Sequence, residues 1–555
     1  MKPTRINTLF ASLFVLLLFS CTPNDPTATT AVKQPVPGEN LMSSPESNEP
    51  ARPAAEASRG IAPAEIPVEV AVRAPTPPVA PPQVLRTFVP APEPSGASSP
   101  APAPVPAPVP APTSPEPAPP VMREAVLALK PATPPVSPLK IDILPQYGLV
   151  RTGTAAEMNV LVRLTGTSKF ETKKQPLDMA IVIDQSGSMR GTKIRQVRQA
   201  AMDLVDKLDD KDRVTLIAYD QRVKTMAILR DTDQQGKATL KDRMLEIRAG
   251  GRTALGPALF KALGILEGAE RGEADIAHVL LLSDGIANVG ETRPKAIGSA
   301  AATGFARGVS VSTLGVGLDY NEDLMTRVAD QGGGRYHFIK DAAAITAVLN
   351  DELAGLASTV ARGIVLDLRP AAGARVTKVF GYATSEKNGV TSIKVGALYA
   401  GQTREILVRV ALPAASGSQA PIGTFVYRLR DVTADGTEVV DEVASLVGVT
   451  STPEEVQKSE KTEVTIRVAE VESAQDMDKV ARAVDRGDYA RAKGMINSRL
   501  GRLREQNKAT PSVKLEAQIS GMEEAFGEVD EAKSSSSARR EFIKGKKASS
   551  YDLMK

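Results

Sequence analysis

Cysteine is almost missing from this chain of 555 residues: it occurs once, at Cys21, so no disulfide forms within a monomer. Histidine occurs twice. With two imidazoles and one thiol, neither the usual hydrolytic triads nor a four-ligand zinc site can be assembled. His278 and His337 each sit inside an apolar run without a partner at metal spacing, and both read as structural. Tryptophan is absent and aromatic residues make up 4%, which disfavours stacking platforms for bases or sugars. An excess of one charge is lacking too: the formal net charge of +3 gives no global argument for a nucleic-acid partner. No P-loop or dinucleotide fingerprint occurs; Gly315-Val316-Gly317 follows a strand pattern but lacks the rest. No nucleic acid and no small-molecule substrate are expected.

Proline is abundant instead, with 42 residues, most of them before residue 140. Ahead of them, Lys2 and Arg5 precede the apolar run Leu9 to Phe19, which is too short for a membrane span, and Leu18-Phe19-Ser20-Cys21 follows. Residues 1–21 resemble a bacterial lipoprotein signal with its lipobox. The resemblance implies cleavage before Cys21 and acylation of its thiol, giving a membrane attachment through an N-terminal lipid. By the sorting rules of diderm bacteria, Thr22 after the cysteine implies the outer membrane, on its periplasmic face or the cell surface. Residues 22–138 read as a disordered Pro/Ala-rich tether. From Pro90 to Pro120 proline alternates with Ala or Val, which favours polyproline II; at about 3.1 Å per residue, thirty such residues reach roughly 90 Å.

Period-two alternation begins near Leu139 and is clear in Met158 to Leu164 (MNVLVRL), so residues 139–176 read as strands. Residues 177–358 then alternate apolar strands (Leu177–Asp184, Arg213–Tyr219, Ile276–Ser283, Val309–Gly315, Arg335–Ile339) with helical patterns. That order predicts an α/β block: a Rossmann-like, doubly wound, mainly parallel sheet, with ligands bound at the carboxyl ends of its strands. Strand patterns resume over 359–451, and Thr403 to Val410 reads much like Met158 to Leu164. The expected architecture is therefore one antiparallel β-sandwich with the block inserted, followed by a helical hairpin region over 452–532. Residues 533–555, rich in Ser and basic residues, read as a disordered tail. Arg486-Gly487-Asp488, an adhesive tripeptide by spelling, falls at the hairpin turn and is explained by local structure.

Chemistry concentrates at strand ends. Asp184-Gln185-Ser186-Gly187-Ser188 closes the run Leu177 to Ile183 and offers one carboxylate and two hydroxyls. Gly250-Gly251-Arg252-Thr253 adds a third hydroxyl, and Leu280-Leu281-Leu282-Ser283-Asp284-Gly285 delivers a second carboxylate. Oxygen-only donors suit hard divalent cations. The three loops, in this order and spacing, resemble the metal-ion-dependent adhesion site of von Willebrand factor A domains. The flanking arrangement is similar to inter-alpha-trypsin inhibitor heavy chains and to bacterial lipoproteins carrying such domains. The resemblance implies that Asp184, Ser186, Ser188, Thr253 and Asp284 hold Mg²⁺ (or Mn²⁺ or Ca²⁺), directly or through water, and that an acidic side chain of a protein partner completes the shell. Arg252 beside the metal loop either favours an anionic ligand or pairs with Glu246 or Asp231. The expected function is non-enzymatic: adhesion or envelope-complex assembly by a lipid-anchored protein. One alternative is a scaffold whose C-terminal helices hold the partner. A metal-dependent hydrolase is more remote, since no general base or nucleophile accompanies the oxygen donors.

Overall fold

The computed structural model describes residues 137–168 and 175–555. The lipobox cysteine Cys21 and nearly all of the expected tether lie outside the described residues. Among the described residues, no helix is long and apolar enough to cross a membrane.

Three strands precede the α/β block: β1 (Leu139–Pro145), β2 (Leu149–Arg151) and β3 (Ala156–Gly166). The block itself runs β4 (Leu177–Asp184), α1 (Thr192–Asp206), β5 (Arg213–Tyr219), β6 (Val223–Leu229), α2 (Gln234–Glu246), α3 (Leu255–Glu267), β7 (Ile276–Ser283), α4 (Pro294–Ala306), β8 (Val309–Val316), α5 (Glu322–Gln331), β9 (Gly333–Ile339) and α6 (Ile345–Ala357). Its six-stranded sheet has the order β6-β5-β4-β7-β8-β9. All neighbours pair in parallel except the edge strand β6, which runs antiparallel to β5. β4 and β7 are buried along their whole length because helices cover both faces. Met179, Ile181 and Ile183 of β4 pack with α1, α2 and α6, whereas Ala180 and Val182 face α3, α4 and α5. This is the doubly wound fold expected from the alternating pattern.

The chain then returns to the β-type region as β10 (Thr359–Pro370), β11 (Arg375–Val379), β12 (Thr384–Lys387), β13 (Val390–Tyr399), β14 (Thr403–Leu412), β15 (Gln419–Asp431) and β16 (Thr437–Thr450). Strands from both sides of the block share two sheets, ordered β1-β3-β14-β11 and β12-β13-β10-β15-β16-β2. β3 and β14 are antiparallel neighbours, with Val162 opposite Ile406 and Val160 opposite Val408. Those four side chains enter the sandwich core with Ile364, Leu366, Phe425 and Tyr427 of the other sheet. Leu161 and Leu407, one residue out of phase, point to the opposite face. They meet Phe380 and the stripe Val464, Val468 and Val471 of a helix that follows the sandwich.

Five helices complete the fold: α7 (Pro453–Lys458), α8 (Thr462–Asp485), α9 (Tyr489–Ala509), α10 (Val513–Ser534) and α11 (Ser536–Met554). The first turns of α8, from Thr462, cover the outer face of the β3–β14 sheet. The last helix corrects an expectation. Residues 533–555 are not a disordered tail: Ser535 caps α11 by accepting from the Ala538 N–H, and Phe542 and Ile543 enter the bundle core. Several of the basic residues that suggested disorder pair with acids of the α/β block. Lys544 Nζ donates to Glu322 Oε2 at 2.8 Å and to the Tyr320 carbonyl at 2.7 Å, and Lys547 Nζ reaches Glu322 Oε1 at 2.8 Å. Burial disfavours charge on Glu322, but these two lysines hold its carboxyl down at about 2.

Candidate metal-ion site

The tip of β4 places Asp184 where the sheet ends and a turn begins, with no solvent exposure. Both of its oxygens are engaged: the Ser186 N–H donates to Oδ1 at 2.7 Å and the Ser283 hydroxyl to Oδ2 at 2.6 Å. Burial pushes the Asp184 carboxyl up to about 6, against the pull of these hydrogen bonds and with the Asp284 charge adding to the rise. A cation beside it would reverse that balance.

From Asp184 the donors run on without a gap. Ser186 Oγ lies 3.0 Å from Ser188 Oγ, and the Ser188 hydroxyl donates to Asp284 Oδ1 at 2.6 Å. Thr253 arrives on the second loop, held by its N–H to Asn288 Oδ1 at 2.9 Å. Gly285 shows how closely the loops converge. A Cβ there would stand 3.1 Å from Thr253 Oγ1 and 3.3 Å from Ser188 Oγ. The space above Gly285 is thus flanked by hydroxyls from two loops and by the Asp284 carboxylate. Backbone bonds fix the loops: Gly187 N–H to the Gly251 carbonyl at 3.0 Å and Gly250 N–H to the Gln185 carbonyl at 2.7 Å. Gly251 itself has φ +81°, and a Cβ on it would fall 1.9 Å from Gln221 Oε1, which accepts the Arg252 N–H. Only glycine allows that approach.

Two carboxylates and three hydroxyls are a hard-cation donor set, and they fit Mg²⁺ in chemistry and in convergence. Among the described residues no three His, Cys, Asp or Glu side chains cluster as a metal site. Of the residues singled out in the sequence, Asp184, Ser186, Ser188, Thr253 and Asp284 are brought together. Arg252 stands exposed at the rim. It pairs with neither Glu246 nor Asp231; its Nη2 donates to the Asn288 carbonyl at 2.8 Å. Glu246 instead takes Arg243 at 2.7 Å.

Lys193, in the first turn of α1, escaped the sequence reading. Its ammonium lies 2.5 Å from Asp284 Oδ2, and Gly317, at φ +78°, leaves room for it after β8. Ser283, which orients Asp184, stands inside the strand-end motif without a role read for it, and Asn288, which orients Thr253, was missed. The only signal for Asn288 was that it follows a loop already singled out. The two histidines lie elsewhere and share a partner: His337 Nε2 is 2.5 Å from Glu352 Oε1, and His278 Nε2 is 3.9 Å from Glu352 Oε2.

Residues 178–351 match the family model of the von Willebrand factor type A domain. The uncharacterized protein sll0103 of Synechocystis sp. is 27% identical over 282 residues, covering 49% of this chain and 65% of that protein. Inter-alpha-trypsin inhibitor heavy chain H4 of Sus scrofa is 31% identical over 164 residues, 29% of this chain and 18% of that one. The chain therefore spans less than two thirds of either relative. Among solved structures, the von Willebrand factor type A protein from Catenulispora acidiphila superposes with a TM-score of 0.57 at 20% identity, covering 71% of this chain and 89% of that one. The α/β block is thus a von Willebrand factor type A domain in fold. Domains of this type generally mediate protein–protein interaction.

Proposed function

We propose that the block binds a divalent cation, Mg²⁺ in the first instance, through Asp184, Ser186, Ser188, Thr253 and Asp284, and through it an acidic side chain of a protein partner. The observation that carries this reading is the unbroken run of oxygen donors from Asp184 to Asp284, with Thr253 brought to the same point beside Gly285. A bound cation would supply the coordination position that a partner's carboxylate fills. The residues around it do the rest. Asp184 and Ser283 hold the turn, Asn288 positions Thr253, and the rim offers Ile286, 60% exposed, and the exposed Arg252 as contacts flanking an acidic anchor. Neither histidine hydrogen-bonds to a site residue, which favours a binding role over hydrolysis. The N-terminal resemblance adds a place: a lipid on Cys21 and a proline tether would hold this domain away from an outer membrane as part of an adhesive or envelope assembly.

Calorimetry with MgCl₂, followed by crosslinked capture from intact cells with and without EDTA, tests the reading. Magnesium binding and partner capture should both disappear in a Ser186→Ala, Ser188→Ala double variant. Capture should be lost with EDTA and return with Mg²⁺. Capture that survives both treatments would sink the proposal. The double variant is preferable to Asp184→Ala, which strands two buried donors at a cost of about 1–3 kcal/mol each and confounds binding with folding.

Lys193 makes a separate prediction. Its ammonium neutralises Asp284 and opposes a second positive charge nearby. Lys193→Met should tighten Mg²⁺ binding by roughly tenfold, the effect of about 1.4 kcal/mol. A weaker Mg²⁺ affinity in that variant would mean that Lys193 mainly holds Asp284 in position.

A further inference from the structure

At the other end of the block, where the parallel strands begin, a cavity of about 540 Å³ opens between the α/β domain and the β-sandwich. Its lining includes five arginines: Arg271 and Arg307 from the domain, and Arg362, Arg428 and Arg430 from the sandwich. Three of them are matched by carboxylates. Arg430 Nη1 meets Glu273 at 2.6 Å, Arg428 Nη2 meets Asp367 at 2.9 Å, and Arg307 pairs with Glu267. Asp275, also in the lining, is taken by Arg213 at 2.7 Å.

Two guanidiniums, Arg271 and Arg362, make no direct ion pair with a carboxylate among the described residues. Arg271 makes no hydrogen bond or ion pair among the described residues. Arg362 spends Nη2 on the Glu273 carbonyl at 2.6 Å, and its Nε is buried without a hydrogen-bond partner. Burial, with Arg430 and Arg271 close by, pushes its guanidinium down to about 10 against the opposing pull of Glu273 and Asp275. The backbone opens the floor of the cavity: Gly308, at φ +83°, has no Cβ, and one placed there would lie 3.0 Å from Arg362 Nη1. Glu438 is the remaining carboxylate in the lining.

We infer that this cavity is an anion site for phosphate or a phosphate monoester, gripped between Arg362 and Arg271. Guanidinium forks match tetrahedral oxyanions bidentately, and convergence of several on one concave space is the arrangement that phosphate recognition uses. The volume lies within the range of small-molecule sites and admits an organic group beyond the phosphate itself. The site stands apart from the oxygen donors at the strand ends, so it is independent of whether those bind a cation.

Calorimetric titration of the full chain with inorganic phosphate and with glycerol phosphate, in chloride buffer at fixed ionic strength, is the test. Saturable binding at one site is expected. Arg362→Gln and Arg271→Gln should each weaken it by roughly tenfold or more, the usual effect of losing a charge-assisted pair. Glu438→Gln should tighten it by removing an opposing charge. Stronger binding of the ester identifies an organic phosphate as the source, and equal binding identifies free phosphate. Should Arg362→Gln fail to fold by circular dichroism, Arg271→Gln decides alone, since Arg271 carries no hydrogen bond or ion pair among the described residues. No saturable heat in the wild type, or undiminished binding in folded Arg271→Gln, overturns the inference.

Discussion

Replacing Glu352 with alanine should cost the protein roughly 3–5 kcal/mol of stability, the range for removing one partner of a buried charge cluster. Glu352 projects from α6 with no solvent exposure. It receives His337 at 2.5 Å, the Ser312 hydroxyl at 3.1 Å and the Arg335 guanidinium at 3.7 Å, with His278 at 3.9 Å. One carboxylate therefore ties α6 to β7, β8 and β9 at once. Without it, Ser312 and His337 lose a buried acceptor. Glu352→Gln retains an acceptor and should lose less. Urea denaturation of both variants provides the comparison, and an alanine variant that loses under about 1 kcal/mol would show that the cluster contributes little.

The same cluster sets an acid limit. Burial disfavours charge on Glu352, yet the His337 hydrogen bond and the surrounding positive groups outweigh it and hold its carboxyl at about 2. Its folded value lies below the unfolded one, so its stabilisation is present above about pH 4.5 and disappears as pH falls toward 2. Burial likewise pushes His278 down to about 4 from 6.5. Between those values the unfolded chain binds the extra proton, so stability drops as pH falls from 6.5 to 4, by about 3 kcal/mol in order of magnitude. Both groups act in one direction. Asp184, whose carboxyl burial raises to about 6, opposes them between about pH 4 and pH 6, so the measure is the difference in unfolding free energy between wild type and Glu352→Ala, which should grow as pH rises from 2 to 4.5.

What could be read from residues alone follows from how local each signal is. Asp184, Ser186 and Ser188 share one five-residue stretch at the end of β4, and Asp284 directly follows an eight-residue buried strand, so pattern and chemistry coincide. Lys193 reads as an ordinary surface lysine at a helix start; only the packing of α1 against the end of β7 sends it to Asp284. β6 carries exposed Lys224 and Thr225, and β12 is exposed throughout, so neither shows the alternation that marks a half-buried strand. Those edges exist because a neighbour supplies hydrogen bonds. In α11 the apolar residues are sparse and the charges many. Its order depends on carboxylates more than two hundred positions away, such as Glu322 for Lys544. No window of sequence contains both halves of that interaction.

Truncation after Ser535 should therefore be severely destabilising, whereas loss of a disordered tail would be neutral. α11 buries Phe542 and Ile543 in the helical bundle and Tyr551 against the α/β block, where its ring meets Tyr336 edge-on at 5.6 Å between centroids. It reaches the β-sandwich as well, through the Lys555 carbonyl accepting from Tyr382 at 3.2 Å. Each large apolar side chain contributes roughly 1.5–3 kcal/mol on burial, so the three together carry about 5 kcal/mol or more. Removing the helix also strips Glu322 of both lysines and exposes the Tyr320 ring that Lys544 covers at 3.8 Å. A fall in Tm of roughly 5–10 °C is expected, with the bundle melting before the block. Lys544→Met separates the charge from the apolar contribution: it keeps the stem over Tyr320 and leaves Lys547 on Glu322, so it should cost less than the truncation. If the truncated chain melts as one transition at the wild-type temperature, α11 is not the clamp that joins bundle, block and sandwich.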